Sequence, residues 1–316
     1  MAFALNSEIA AGLEKLANEI GPISPMPVGD VATRRSVYDE LQRVIHSKLD
    51  HPHDVTVEDY ETASEDGAPL LLRWYSKKGS NPGSAVVYCH GGGMMLSSVD
   101  VYDTVLARYV SFSGVPFLAV GYRKAPEAPA PIPVTDCHAG LRWLAEHAAT
   151  LGVEPTRIAV MGDSGGGGIA ASLAIYARDQ HGPQIAKQIL IYPMLDDRNT
   201  IPDANLTPFA PWSYDDNITG WTALLGPARG GPEVSPYGAA ARLTNFSNLP
   251  NAYIDIGEMD IFRDETILYA RNLLLAGVST ELHVHPGVAH AFEAFVPDAE
   301  IAQKVALDRI RVLQTL

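Results

Sequence analysis

Cysteine is nearly absent from this chain: Cys89 and Cys137 are the two thiols among 316 residues. One falls in an expected strand and the other in an expected helix, which excludes a disulfide framework and points to two reduced core thiols. Long apolar runs are missing too. No stretch reaches the roughly eighteen consecutive apolar residues of a membrane-spanning helix, so no stable membrane association is expected. Positive charge is scarce, with 23 Lys and Arg against 37 Asp and Glu and a formal net charge of -14. Such a balance repels nucleic acid, anionic lipid and acidic substrates. Residues 1–20 lack the basic start and pure apolar block of a secretion signal, because Glu8, Glu14, Lys15 and Glu19 interrupt them. The cytoplasm is therefore the expected compartment. Neither His51 and His53 nor His283, His285 and His290 fall at zinc-binding intervals, so no metal is expected.

What the chain does have is apolar mass. Hydrophobic residues make up 47% of it, enough at this length to bury about three quarters of the unfolded surface. Residues 5–20 and 30–49 read as amphipathic helices, separated by Gly21, Pro22, Pro25 and Pro27 in a run that cannot be helical. From Asp54 the period changes to alternation. Val55, Val57 and Tyr60, then Leu70, Leu72 and Trp74 across Glu65-Asp66-Gly67, predict a strand pair. Continuous apolar runs at 85–89, 116–120, 157–161, 187–191, 252–256 and 280–284 predict strands buried in a mostly parallel sheet. Helical patterns at 101–112, 134–149, 165–178 and 264–275 fall between most of them, the alternation of an α/β sheet covered on both faces. The interval 193–249 breaks the rhythm: it holds Pro202, Pro208, Pro211, Pro227, Pro232 and Pro236 with Phe209, Trp212, Tyr214 and Trp221, and no strand pattern. The expected organisation is thus N-terminal helices over 1–50 and an insertion over 193–249, together covering a core built from 51–192 and 250–316.

Two glycine-rich stretches carry the chemistry. Gly162-Asp163-Ser164-Gly165-Gly166 joins an apolar run to a helical one and predicts a strand, a sharp turn and a helix. A serine at such a corner needs neighbours without side chains, and the helix behind it points N–H groups at charge forming beside the hydroxyl. The run from Gly165 to Ala170 also fits Gly-x-Gly-x-x-Ala, a dinucleotide-binding turn. That rival predicts an acidic ribose partner, and none is obvious. The second stretch, His90-Gly91-Gly92-Gly93-Met94-Met95, follows an expected strand directly. Its glycines let successive N–H groups converge as an oxyanion requires, so Gly92, Gly93 and Gly165 are the expected donors. His90, at the root of the loop, is expected to tie it down rather than to move protons.

A base and an acid belong at the carboxyl ends of later strands. Gly257-Glu258-Met259-Asp260 follows the run 252–256, and His285-Pro286-Gly287-Val288-Ala289-His290 follows the run 280–284. Asp260 and His290 are the choices, with Glu258 as the alternative acid. Asp264 and Glu265, where the next helix begins, are expected to serve it by capping and dipole complementarity. Met94, Met95, Phe209, Trp212 and Val288 are candidate apolar contacts for substrate.

The order Ser164, Asp260, His290, together with the two glycine stretches and Tyr122-Arg123-Lys124-Ala125-Pro126-Glu127, resembles the hormone-sensitive-lipase-like group of α/β-hydrolases, the bacterial family IV esterases. The likeness spans residues 74–295. It implies an α/β-hydrolase fold with an eight-stranded, mostly parallel sheet, flanking helices and a helical cap. It also implies a serine carboxylesterase that needs no cofactor, with Ser164 as nucleophile, His290 as base and Asp260 as acid. A capped, finite pocket favours short- to medium-chain esters as the small-molecule partner; assembly as a homodimer stays open. The chain departs from the family's usual pattern at Lys124, Gly165, Ile261 and Ala291, where leucine, alanine, proline and glycine are customary. Two other readings remain: a binding protein on the same fold, and an amidase or acyltransferase using the same residues.

Overall fold

Alternation along the first half of the chain produces a hairpin. β1 (Val55–Ala63) and β2 (Pro69–Lys77) pair antiparallel, from Val55 opposite Lys77 to Ala63 opposite Pro69. The computed structural model describes residues 3–316, so the first two positions of the N-terminal segment lie outside the description. The continuous apolar runs become β3 (Ala85–Cys89), β4 (Phe117–Val120), β5 (Ile158–Asp163), β6 (Lys187–Ile191), β7 (Asn251–Gly257) and β8 (Thr280–His285). The sheet order is β1-β2-β4-β3-β5-β6-β7-β8. β2 meets β4 antiparallel, and every pair from β4 and β3 to β7 and β8 is parallel. β3, β4 and β5 are buried along their whole length, as coverage of a parallel sheet requires.

Helices α1 (Ser7–Ile20) and α2 (Val31–His46) precede the sheet, and α3 (Asp103–Ser113), α4 (Ile132–His147) and α5 (Gly165–Asp179) connect its strands. The interval without strand pattern holds α6 (Tyr214–Leu225) and short 3-10 turns; α7 (Arg263–Leu275), α8 (Phe292–Phe295) and α9 (Glu300–Leu313) complete the chain. The sequence reading had no helix at α9. Its buried face, Ala302, Val305, Arg309 and Val312, has helical spacing, but an arginine in the middle of the stripe hides the apolar signal. That guanidinium is buried because Asp255 of β7 accepts from its Nε at 2.7 Å and its Nη2 at 2.9 Å. Cys89 and Cys137 are free and buried, their Sγ atoms 3.5 Å apart. Among the described residues no helix is long and apolar enough to cross a membrane.

Two buried polar side chains tie the flanking segments to the rest. Asp264 and Glu265 lie in the first turn of α7, as complementarity to the helix dipole requires, but neither caps the helix. Instead the Glu265 carboxylate accepts the N–H groups of Leu195 at 2.6 Å and Asp196 at 3.1 Å, and the amide of Asn199 at 2.9 Å, anchoring the start of the 193–249 interval. The exposed Asp264 pairs with Arg263. Arg34 of α2 donates from Nε to Asp216 of α6 at 2.8 Å and from its other nitrogens to the carbonyls of Met26, Pro27 and Asp30. Asp216 also forms the capping box of α6 with Ser213. The same pair therefore starts one helix and clamps it to another. Removing one partner of such a buried pair strands the other, at a cost of roughly 3–5 kcal/mol. Arg34→Ala is expected to release α1 and α2, read as faster limited proteolysis within residues 3–50 while the sheet's circular dichroism is unchanged.

Candidate active site

Parallel strands end on one side of a sheet, so the loops leaving β3, β5, β6, β7 and β8 share one edge. Ser164 stands there between β5 and α5 with φ 54° and ψ -122°, a conformation that residues with side chains avoid unless their surroundings impose it. Its N–H donates to the carbonyl of Ile191 at 2.8 Å, and its own carbonyl accepts from Gly168 and Met194 at 3.0 Å each. Glycine is required beside it by contact: a Cβ at Gly162 would overlap the carbonyl of Gly166, and one at Gly166 the carbonyls of Cys89 and His90. Pro193 and Met194 close over Gly167 and Gly168 in the same way. Contacts with the loops after β3 and β6 thus account for the glycines at the start of α5 without a nucleotide, and the dinucleotide reading is set aside.

His290, Ser164 and Asp260 lie in one line. His290 Nε2 is 2.9 Å from Ser164 Oγ, and its Nδ1 is 2.6 Å from Asp260 Oδ2. The second oxygen of Asp260 accepts the N–H of Phe262 at 2.9 Å. Tyr192 and Phe262 meet the imidazole edge-on at 4.7 and 5.1 Å, so the ring is wedged from two sides. Glu258, the alternative acid, accepts the N–H of Gly287 at 3.0 Å and shapes the loop that carries His290.

The glycine loop after β3 reaches the same point. Gly165 lies so close to it that a Cβ there would sit 2.7 Å from the amide nitrogens of Gly93 and Met94. His90 is buried at the loop's root, where its Nδ1 donates to the carbonyl of Gly91 at 2.8 Å and its ring stacks on Tyr122 at 4.3 Å. It does not face the serine. Asp163, which the sequence reading had assigned no role, is buried behind this loop. Burial raises its pKa, while the hydroxyls of Tyr88 and Tyr102, each donating at 2.7 Å to one of its oxygens, oppose the shift.

A cavity of about 770 Å³ opens beside Ser164 and His290, walled by Leu16, Leu41 and Ile45 from α1 and α2 and by Tyr109 and Ile310 from α3 and α9. Of the five expected apolar contacts, Trp212 lines it, its indole packed so closely on Gly93 that a Cβ there would touch the ring. The other four do not. Met94 has φ 62°, which turns its side chain away from the serine and onto Gly168 of α5. Met95 is fully buried; Val288 belongs to a separate apolar cluster with Ile9 and Phe292; Phe209 sits half-buried against the main core. Apolar residues near a site in sequence were drawn into packing, whereas the walls come from helices distant in sequence.

Comparison with known proteins agrees with this geometry. The profile of a family described as alpha/beta hydrolase fold matches residues 86–294. An ethyl acetate hydrolase of Pseudomonas putida is 33% identical over 305 residues, covering 91% of this chain and 92% of the relative. Among solved structures, a bacterial heroin esterase superposes with a TM-score of 0.88 at 32% identity, covering 99% of this chain and 98% of the other. A hyperthermophilic esterase from Pyrobaculum calidifontis gives 0.86 at 30% identity, covering 99% of each. The chain belongs to the α/β-hydrolase fold family, in its hormone-sensitive-lipase-like branch of bacterial family IV esterases.

Burial holds the imidazole of His90 down to about 3, the carbonyl of Gly91 opposing the shift only in part. An unfolded histidine titrates near ~6.5, so between these values the unfolded chain binds the extra proton. Stability contributed by His90 is therefore lost as pH falls from about 6.5 toward 3. His46 and His285, also lowered by burial, act in the same direction. Urea unfolding at a series of pH values is expected to show this acid limb, and His90→Asn to flatten it.

Proposed function

We propose that the ester hydrolysis performed by this chain runs through Ser164 as nucleophile, His290 as general base and then acid, and Asp260 as the group that orients the imidazole. The observation that carries the reading is the unbroken relay from Asp260 through His290 to Ser164, with contacts of 2.6 and 2.9 Å. A carboxylate only accepts, so Nδ1 carries the proton and Nε2 turns its lone pair to the hydroxyl. As Oγ attacks the ester carbonyl, its proton passes to Nε2. The N–H groups of Gly92, Gly93 and Gly165 hold the oxygen that becomes negative. The alcohol leaves with the proton from Nε2, and water then repeats the sequence on the acyl-enzyme to release the acid.

The cavity's volume lies within the range of small-molecule sites, and its mostly apolar, finite walls suit short to medium acyl chains. The relative named for ethyl acetate supports the same choice. In this reading α1, α2 and the 193–249 interval are the cap, and Trp212 is the wall nearest the oxyanion. Two buried free thiols suit a reducing compartment, which favours the cytoplasm.

Ser164→Ala and His290→Ala are each expected to lower turnover of p-nitrophenyl butyrate by roughly 10⁴- to 10⁶-fold with folding intact, because the pair acts as one unit. Near-normal turnover by either variant would overturn the assignment. A butyrate ester is expected to exceed a palmitate ester in kcat/KM by roughly tenfold or more. Equal rates would reject the finite pocket.

A further inference from the structure

The glycine loop has to present two N–H groups in one direction, yet much of its backbone is held in an uncommon conformation. Gly92, Gly93, Met94 and Ser97 all have positive φ, the last two at 62° and 69° although they carry side chains. Conformations of this kind persist where neighbouring groups impose them. Because a peptide unit is planar, a carbonyl fixed on one side fixes the N–H on the other. The N–H of Gly92 is set by the carbonyl of Gly91, which His90 holds at 2.8 Å. The N–H of Gly93 is set by the carbonyl of Gly92, which accepts from Met95 at 3.1 Å and Leu96 at 2.8 Å. The second donor therefore depends on a turn through residues 92–96, and something outside the loop must hold that turn.

Helix α2 supplies it. Arg35 donates from Nε to the carbonyl of Met95 at 2.7 Å and from Nη2 to the carbonyl of Ala125 at 2.6 Å. The N–H of Ala125 in turn donates to the carbonyl of Met94 at 3.0 Å. The carboxylate of Glu127 takes Nη1 at 2.8 Å and Nη2 at 2.7 Å, which keeps the guanidinium in that plane. One helical turn along, Asp39 accepts the N–H of Ser97 at 2.7 Å, while Lys124 donates to the carbonyl of Ser97 at 2.6 Å. Lys124 is the position where the family customarily has leucine, and here its ammonium closes the far end of the turn.

We infer that Arg35, supported by Asp39, is a positioning residue for the reaction, which holds the N–H of Gly93 toward the oxyanion from a helix outside the α/β core. The inference rests on the reading of this loop as the oxyanion hole. Tyr38, Leu41 and Ile45 of the same helix line the substrate cavity, so one element both meets the substrate and sets a donor. Of the residues in the cap, Arg35 combines the geometry needed: a planar fork that spans two carbonyls, which a lysine's single ammonium does not reproduce.

The test uses a trifluoromethyl ketone, whose serine adduct carries the oxyanion, and the matching methyl ketone, which binds without it. Tighter binding of the fluorinated compound by the wild-type enzyme establishes the loop's role, and the absence of that preference would overturn the parent reading rather than this one. Arg35→Met is expected to lose about 10- to 100-fold in kcat for p-nitrophenyl acetate, as small displacements of catalytic groups do. KM and the methyl ketone's affinity should stay within about twofold. The preference for the fluorinated ketone should fall in parallel with kcat, at an unchanged active-site titre by acyl burst. Arg35→Lys, which keeps the charge beside Glu127, is expected to fold like the wild type and to show the same selective loss in smaller degree. It serves as the reading should the methionine variant not accumulate. Wild-type kcat and ketone preference in either folded variant, or a loss matched wholly by a reduced titre, would overturn the inference.

Discussion

The strained backbone at Ser164 is the constraint on which the site depends. A left-handed serine between strand and helix is stable only where both flanks are walled by other backbone, so the loops after β3 and β6 must come within contact of the turn. That closeness excludes side chains at Gly162 and Gly166. It also brings Gly93 and Met94 against Gly165, so the packing that holds the backbone of Ser164 gathers the amides beside it. The turn and the glycine loop after β3 are one packing unit.

Charge buried around this unit joins segments that are distant in the chain. Asp163 hangs on two tyrosines behind the loop. Arg309 of the C-terminal helix reaches Asp255 on β7 and Glu293 just beyond His290, and Tyr192, which wedges the imidazole, donates to the same Glu293 at 2.8 Å. Buried ion pairs add little net stability, because desolvation offsets attraction, but breaking one leaves an uncompensated charge. Here they link β7, α8 and α9 around the loop that carries His290.

The cavity has a different origin. Many of its apolar walls belong to α1, α2, α3 and α9, none of which carries a residue of the relay, and Trp212 joins them from the 193–249 interval. An edge built by parallel strands supplies polar loops and N–H groups but little apolar surface, so an enclosed site needs helices laid across it. Arg34 fastens α2 to α6, and Glu265 fastens the start of the 193–249 interval. With Arg35 on the next residue turned to the glycine loop, α2 both lines the cavity and contacts that loop.

Much was legible in the residues themselves. Continuous apolar runs marked β3 to β7, because burial on both faces removes polar positions; β5 ran two residues further than its apolar run, to Asp163, because pairing with β6 continues there. By contrast β8, expected to be buried in the same way, is only part-buried with Val284 exposed, because it forms the edge of the sheet. Glycines beside Ser164 and after Cys89 were legible because only glycine meets those contacts, and Asp260 and His290 because they follow strands ending on the shared edge. Side-chain direction was not legible. Whether Met94 or Trp212 faces the substrate turns on backbone angles and on which helix arrives from elsewhere, and Glu265 looked like a helix cap until Leu195 and Asp196 were found beside it. Local chemistry and period determined the elements and the reacting groups. Only tertiary structure decided the walls, the clamps and the wedge around His290, since each depends on contacts between residues tens to hundreds of positions apart, and no local pattern carries a signal for them.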